Sequence, residues 1–322
     1  MSCISSIDKC LNPICFPWKY KKSGCEKIAA WAAFFFIGWI CHPFYAICRA
    51  CRAYRKVEDR GTIHSIGTQV LLRDPISEGL AGFNNSKVKG QINGIYITTN
   101  ETNLEGARQL FKERPRPEDG ISTIHIGCAT WHNLDMICTR RSTYGLIIDF
   151  NPKNAEFIKK TIDLIGFSES RDAFKQAMIM HLNSLEGKEK ELFFHADQKG
   201  LPTDRIEMEL LREGSWLQSE ENYLFIKQQL VAKDRLIAIT EDITNFENFA
   251  KIRKFLDSNN IVIDTLYLSN ICNFMRTPSD KNAFMKSTKH LLNADTIFIN
   301  SRQHGLPGAI TVRQQPVLGK EV

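Results

Sequence analysis

The chain has 322 residues, 43% of them hydrophobic and 24% charged, the make-up of a folded globular protein, which excludes disordered and collagen-like classes. Its formal net charge of +6 is not spread out: residues 1–60 hold ten Lys or Arg against four acids, and the rest of the chain balances at 32 of each. The body therefore offers no electrostatic case for DNA or RNA, and no nucleic-acid partner is expected.

The basic N-terminal segment, residues 1–60, also carries "IAAWAAFFFIGWICHPFYAIC", residues 28–48, an uncharged run about as long as a bilayer-spanning helix. Trp18, Tyr20 and Tyr54 flank it at interfacial positions, with Lys or Arg on both sides. The expectation is a membrane-associated protein, anchored through lipid contact of residues 28–48 by a single pass or by an in-plane segment kinked near Pro43. Seven of the ten cysteines lie in the first 51 residues. S-acylation or interfacial thiols in a reducing compartment fit them better than a zinc site, because Cys48 and Cys51 form one CxxC pair without a second. No metal is expected elsewhere, since His132, His181 and His304 lack ligand spacing.

Beyond residue 60 the chain reads as one domain, 61–322. "RDPISEG" looks like a turn, "GFNNSKVKGQINGIYITTN" like one or two strands, and "NLEGARQLFKE" like a short helix. From residue 121 strands and helices alternate. "ISTIHIGC", "YGLIIDF", "DRLIAIT", "IVIDTLYLS" and "ADTIFIN" are strands, with helices "HNLDMICTR", "NPKNAEFIKKTIDLI", "SEENYLFIKQQLV", "NFENFAKIRKFLDS" and "KNAFMKSTKHLL" between them. A helical insertion, 166–218, interrupts the pattern and includes "HADQKGLPTDR", where His195 and Asp197 read as surface-loop residues. Strands apolar on both faces, each joined to the next through a helix, predict a doubly wound, Rossmann-like α/β sheet.

Ligands of such sheets sit at the carboxyl ends of the strands. Four strands deliver small or polar groups there: Gly127 to Thr130 after the first, Asp149 at the end of the second, Glu241 and Asp242 after "DRLIAIT", and Ser269 and Asn270 after "DTLYLS". Small residues admit a ligand to the backbone, and a carboxylate about 20 residues later accepts from ribose hydroxyls. Asp149 read alone is as readily a cap for the helix that follows. Ser219 with Glu220 and Glu221 likewise reads as a capped helix start.

"IHIGCATWHNLDMI", "YGLIIDFNPKNAEFIKK", "WLQSEENYLFIKQQL", the run from Arg235 to Met275, and "ADTIFINS" together resemble a bacterial family with an S-adenosylmethionine-dependent methyltransferase-like fold, typified by a Leptospira protein. The resemblance covers about residues 120–301. It implies a cofactor loop over Gly127, Ala129 and Asn133, a ribose contact at Asp149, and a position near adenine at Asp242, with S-adenosylmethionine as cofactor. Ala129 stands where a second glycine is usual, and Trp131-His132 where polar residues are usual. Asn270, Ser269, Glu220 and Glu221 are the candidates for positioning the nucleophile or accepting its proton. Two functions follow. One is a membrane-tethered methyltransferase acting on a small molecule, a lipid or a protein. The other is a catalytically inactive binding module at a membrane, of the kind a bacterium secretes as an effector.

Overall fold

The computed structural model describes residues 73–88, 94–99, 101, 104–129, 131–187, 189, 202–268, 271–301 and 310–313. All fall within one compact unit, 65–322. Strands β1 (Ser122–Cys128), β2 (Tyr144–Asp149), β3 (Leu236–Thr240), β4 (Ile261–Tyr267), β5 (Ile297–Ser301) and β6 (Ile310–Arg313) form one sheet in the order β3-β2-β1-β4-β5-β6. The first five are parallel, and β6 runs antiparallel to β5. Chain order reverses between β1 and β4, which sets the topological switch point there.

Helices cover both faces. In chain order they are α1 (Pro75–Ala81), α2 (Leu104–Lys112), α3 (His132–Arg140), α4 (Pro152–Phe167), α5 (Arg171–Ser184), α6 (Pro202–Leu211), α7 (Glu220–Phe225), α8 (Phe246–Ser258), α9 (Ile271–Phe274) and α10 (Pro278–Leu291). Alternate strand residues divide between the two layers, as a two-residue side-chain period requires. Ile124, Ile126, Leu146 and Ile148 pack toward Phe249, Ile252 and Leu256 of α8 and Phe284 of α10. Ile147 and Ala238 turn to the other layer, where Trp131, Phe157, Phe174 and Trp216 form a buried aromatic group. The segment 166–218 thus contributes α5, Ile206 of α6 and Trp216 to the core of one layer.

Several elements differ from the sequence expectation. "RDPISEG" is helical as α1, because Asp74 accepts from the amides of Ile76 at 3.0 Å and Ser77 at 3.2 Å, and Pro75 follows at the first helical position. The helix expected over residues 219–231 is α only to Phe225 and π-helical over Ile226–Val231. Residues 94–99 are not a strand. Their backbone partners are side chains and loops instead. The expected strand β4 carries a bulge: Ile124 pairs with Ile263 but His125 with Thr265, so Asp264 is the extra residue.

The expected membrane localisation is corrected. Among the described residues no helix is long and apolar enough to cross a membrane. The run 28–48, its lipid contact and the cysteines of residues 1–60 lie outside the described residues.

Candidate functional site

The carboxyl ends of β1, β2 and β3 carry three of the expected positions. β1 ends at Cys128, and Ala129 takes a left-handed backbone with φ +56, a conformation costing a non-glycine residue about 1–2 kcal/mol. Asn133, in the first turn of α3, holds this turn. Its amide donates to the carbonyls of Cys128 and Ala129, each at 3.1 Å. Its Oδ1 faces Nε2 of His125 at 2.9 Å, while Nδ1 of His125 lies 2.7 Å from the Thr265 hydroxyl. Because Oδ1 only accepts, Nε2 of His125 carries the proton and Nδ1 accepts from Thr265. Burial then pushes His125 down to about 4.

Gly127 is needed for this arrangement. A Cβ there would fall 1.9 Å from Asn133 Oδ1 and 2.9 Å from His125 Nε2. The room that glycine leaves is therefore taken by Asn133.

Asp149 ends β2 and is 8% exposed. Its Oδ1 accepts from the Asn151 amide at 2.7 Å, and its Oδ2 from the Asn154 side chain at 3.1 Å. Burial pushes its carboxyl up to about 7, against the lowering effect of those two donors. Burial, with the Asp149 charge adding to it, also raises the Cys128 thiol. The cap of α4 is Asn151, which accepts from Lys153. After β3, the buried Glu241 accepts from the amides of Asn85, Asn245 and Asn248. Asp242, partly exposed, accepts from the amide and hydroxyl of Thr244 at 2.9 and 2.8 Å.

Residues 94–99 cross these strand ends as a strap. The carbonyl of Gly94 accepts from Asn151, the Tyr96 amide donates to Asn154, the Ile97 carbonyl accepts from the Trp131 amide, and the Thr99 hydroxyl meets the Tyr267 hydroxyl at 3.2 Å. The strap spans from the end of β2 past the β1 turn to the end of β4, and Ile97 at its centre is fully buried.

The other expected residues are not gathered here. Ser269 and Asn270 lie outside the described residues, as do Thr130, His195 and Asp197. Glu220 and Glu221 open α7 behind the Ser219 cap, which accepts from Asn222. Glu220 pairs with Arg171 at 3.4 Å, and Glu221 with Arg141. Arg141 follows α3 directly and precedes β2, so this pair stands at the amino edge of the sheet, opposite the switch point.

A network that the sequence expectation omitted does reach the switch point. His132 begins α3 and is 2% exposed. Its Nδ1 lies 2.7 Å from Asp135 Oδ2, its ring stands edge-on to Tyr267 with centroids 5.5 Å apart, and its Nε2 is buried without a partner. Asp135 also accepts from the Trp216 amide and from Arg212, which in turn binds Glu209. Burial opposes the Asp135 charge, but Arg212 and His132 outweigh it and hold the carboxyl below its ordinary value. Burial and the Asp135 charge push Glu209 up. The signal for this network was the three-residue spacing of His132 and Asp135, which stacks the pair on one helix face. Among the described residues no group of three or more His, Cys, Asp or Glu is placed to hold a metal ion.

The profile of a family described as Domain of unknown function (DUF7790) matches residues 96–311. The chain belongs to this family. In the DUF7790 chain the matched span runs from within the strap into β6, and so contains Ala129, Asn133, Asp149, Asp242 and the His132–Asp135 pair, while Asn85 and Gly94 precede it. A comparison with curated proteins found no match. Among solved structures, the rRNA methyltransferase AviRa from Streptomyces viridochromogenes is similar over 76% of this chain and 86% of its own, at 13% identity and a TM-score of 0.34.

Proposed function

We propose that this DUF7790 protein is a methyltransferase-like domain that binds S-adenosylmethionine at the carboxyl ends of β1, β2 and β3 and acts on a small molecule or a protein. One observation carries the reading. Beside the switch point of a parallel sheet, a left-handed turn at Ala129 is followed in sequence by the buried Asp149, and the neighbouring strand ends next to the half-exposed Asp242. Switch points are where doubly wound sheets take nucleoside ligands, and a carboxylate at the end of the second strand suits ribose hydroxyls. Asp149 is the ribose contact in this reading and Asp242 the adenine-side contact. Because Asn133 fills the room over Gly127, the cofactor lies against the Ala129 turn. When bound, S-adenosylmethionine supplies an already activated methyl group, so the protein's contribution is alignment and, for a protic acceptor, a base.

A second reading rests on a different observation. The strap 94–99 is tied to Asn151, Asn154, Trp131 and Tyr267, which suits a domain that keeps the architecture and binds a partner without catalysis. Calorimetric titration of the full chain with S-adenosylmethionine and with its demethylated product separates the two. The proposal expects micromolar binding that Asp149→Ala weakens about tenfold or more, roughly 1.4 kcal/mol. A folded protein that binds neither compound overturns it in favour of the binding module.

A further inference from the structure

Within the reading of a methyl-transfer site, we propose that His132 is the group that accepts the proton of the nucleophile, and hence that the acceptor substrate is protic, a hydroxyl or an amine. The geometry is that of a base held by a carboxylate. Asp135 accepts from Nδ1 at 2.7 Å, which fixes the tautomer of the neutral ring and leaves the lone pair on Nε2. Asp135 is itself held by Arg212 at 2.5 Å and by the Trp216 amide at 2.8 Å. Its charge is therefore anchored, ready to stabilise an imidazolium.

The other ring nitrogen points away from this network. It is buried and unpartnered. An orphan buried acceptor costs about 1–3 kcal/mol, and a catalytic role is one physical reason for a fold to retain one. Its position supports this. His132 follows the β1 turn, and its ring rests against Tyr267, the last residue of β4, so the imidazole sits beside the carboxyl ends of the two strands that bound the switch point. The exposed Glu221 is 80% accessible and at the opposite edge of the sheet, which leaves it without the same reach.

In the proposed step Nε2 takes the proton from the acceptor O–H or N–H as the oxygen or nitrogen bonds to the methyl carbon. The carbon–sulfur bond breaks with its electron pair remaining on sulfur, which becomes a neutral thioether. The proton stays on the imidazolium, paired with Asp135, until it passes to water after release.

Sinefungin tests this without turnover. It carries an amine where S-adenosylmethionine carries its methyl, so the amine occupies the place of the reacting groups and can donate to Nε2. The full-length protein is expected to bind sinefungin about tenfold more tightly than the demethylated product, the scale of one charge-assisted hydrogen bond. His132→Asn keeps a donor for Asp135 but removes the Nε2 position, and should abolish the preference while leaving affinity for the demethylated product within about twofold. His132→Gln, whose amide reaches the Nε2 position, should restore part of the preference. A preference that persists in a folded His132→Asn protein, or is absent from the wild type although both compounds bind, overturns the role of His132 and leaves the cofactor reading standing. Binding of neither compound to the wild type overturns the cofactor reading and this inference with it.

Discussion

Asn133 stands over Gly127, its Oδ1 occupying the place where a Cβ would sit 1.9 Å away. The glycine of the β1 turn is thus explained by a side chain of the protein itself. Gly127→Ala should destabilise the domain by about 1–3 kcal/mol, the range for overpacking a filled site. In an Asn133→Gly background the added methyl is left with only the close contact to His125 Nε2 at 2.9 Å, so the same change should cost less. Urea unfolding of the two singles and the double would reveal this coupling. Strict additivity would mean that Asn133 is not what excludes the methyl.

The bulge at Asp264 leaves that residue and Thr265 both on the α3 side of the sheet, where one meets Arg140 of α3 and the other His125 of β1. Arg140 binds both oxygens of Asp264, at 2.8 and 2.7 Å, and also donates to the carbonyls of Arg114 and Pro115. Both side chains are under 5% exposed. Removing one partner of a buried pair strands the other charge, so Asp264→Ala should cost about 3–5 kcal/mol. The exposed pair of Arg253 and Asp257 is a control whose loss should scarcely move the urea midpoint. Equal effects at the two places would refute the assignment.

Periodicity sufficed for the five parallel strands because each is a short run rich in Ile or Leu and bounded by turn residues, as "YGLIID" and "LIAIT" show. It did not suffice for α1, where Asp74 and Pro75 together start a helix that a proline-containing run of seven residues does not advertise. The strap was misread for a related reason. Ile95 and Ile97 alternate like a strand, yet the backbone beside them pairs with Asn151, Asn154 and Trp131, partners far off in sequence. Asp149 and Asp242 were legible as strand-end carboxylates. The roles of Arg212 and Glu209 were not, because Arg212, which Glu209 binds, reaches Asp135 only once α6 has packed against the domain.

Two titrations of opposite sign should shape the pH dependence of stability. Asp149 is pushed up from 3.8 to about 7 by burial. Between those values the folded protein holds a proton that the unfolded chain has released, so this group lowers stability as pH rises from about 4 to 7. His125, pushed down from 6.5 to about 4 by burial, does the reverse, since the unfolded chain binds a proton below 6.5 that the folded ring refuses. Asp149→Asn should therefore gain stability relative to wild type between pH 4.5 and 7.5, by an amount on the order of a few kcal/mol. Denaturant midpoints of both proteins across that range measure it, and a constant difference would show that the carboxyl does not titrate there.

Glu241 and Asp242 are adjacent carboxylates with separable roles. Glu241 is 1% exposed and gathers three asparagine amides together with the Asp242 amide, pinning residues 83–85 and α8 to the end of β3. Glu241→Ala leaves several half-buried donors without an acceptor and should cost about 2 kcal/mol. Asp242 uses one oxygen to hold Thr244, a turn that a serine hydroxyl also makes. Asp242→Ser should accordingly keep the melting temperature close to wild type. Under the cofactor reading it should weaken binding of demethylated S-adenosylmethionine about tenfold, the loss of one carboxylate contact. Calorimetry on the two variants distinguishes the roles: stability lost equally in both, with affinity unchanged in Asp242→Ser, would make Asp242 a second structural anchor and remove it from the site.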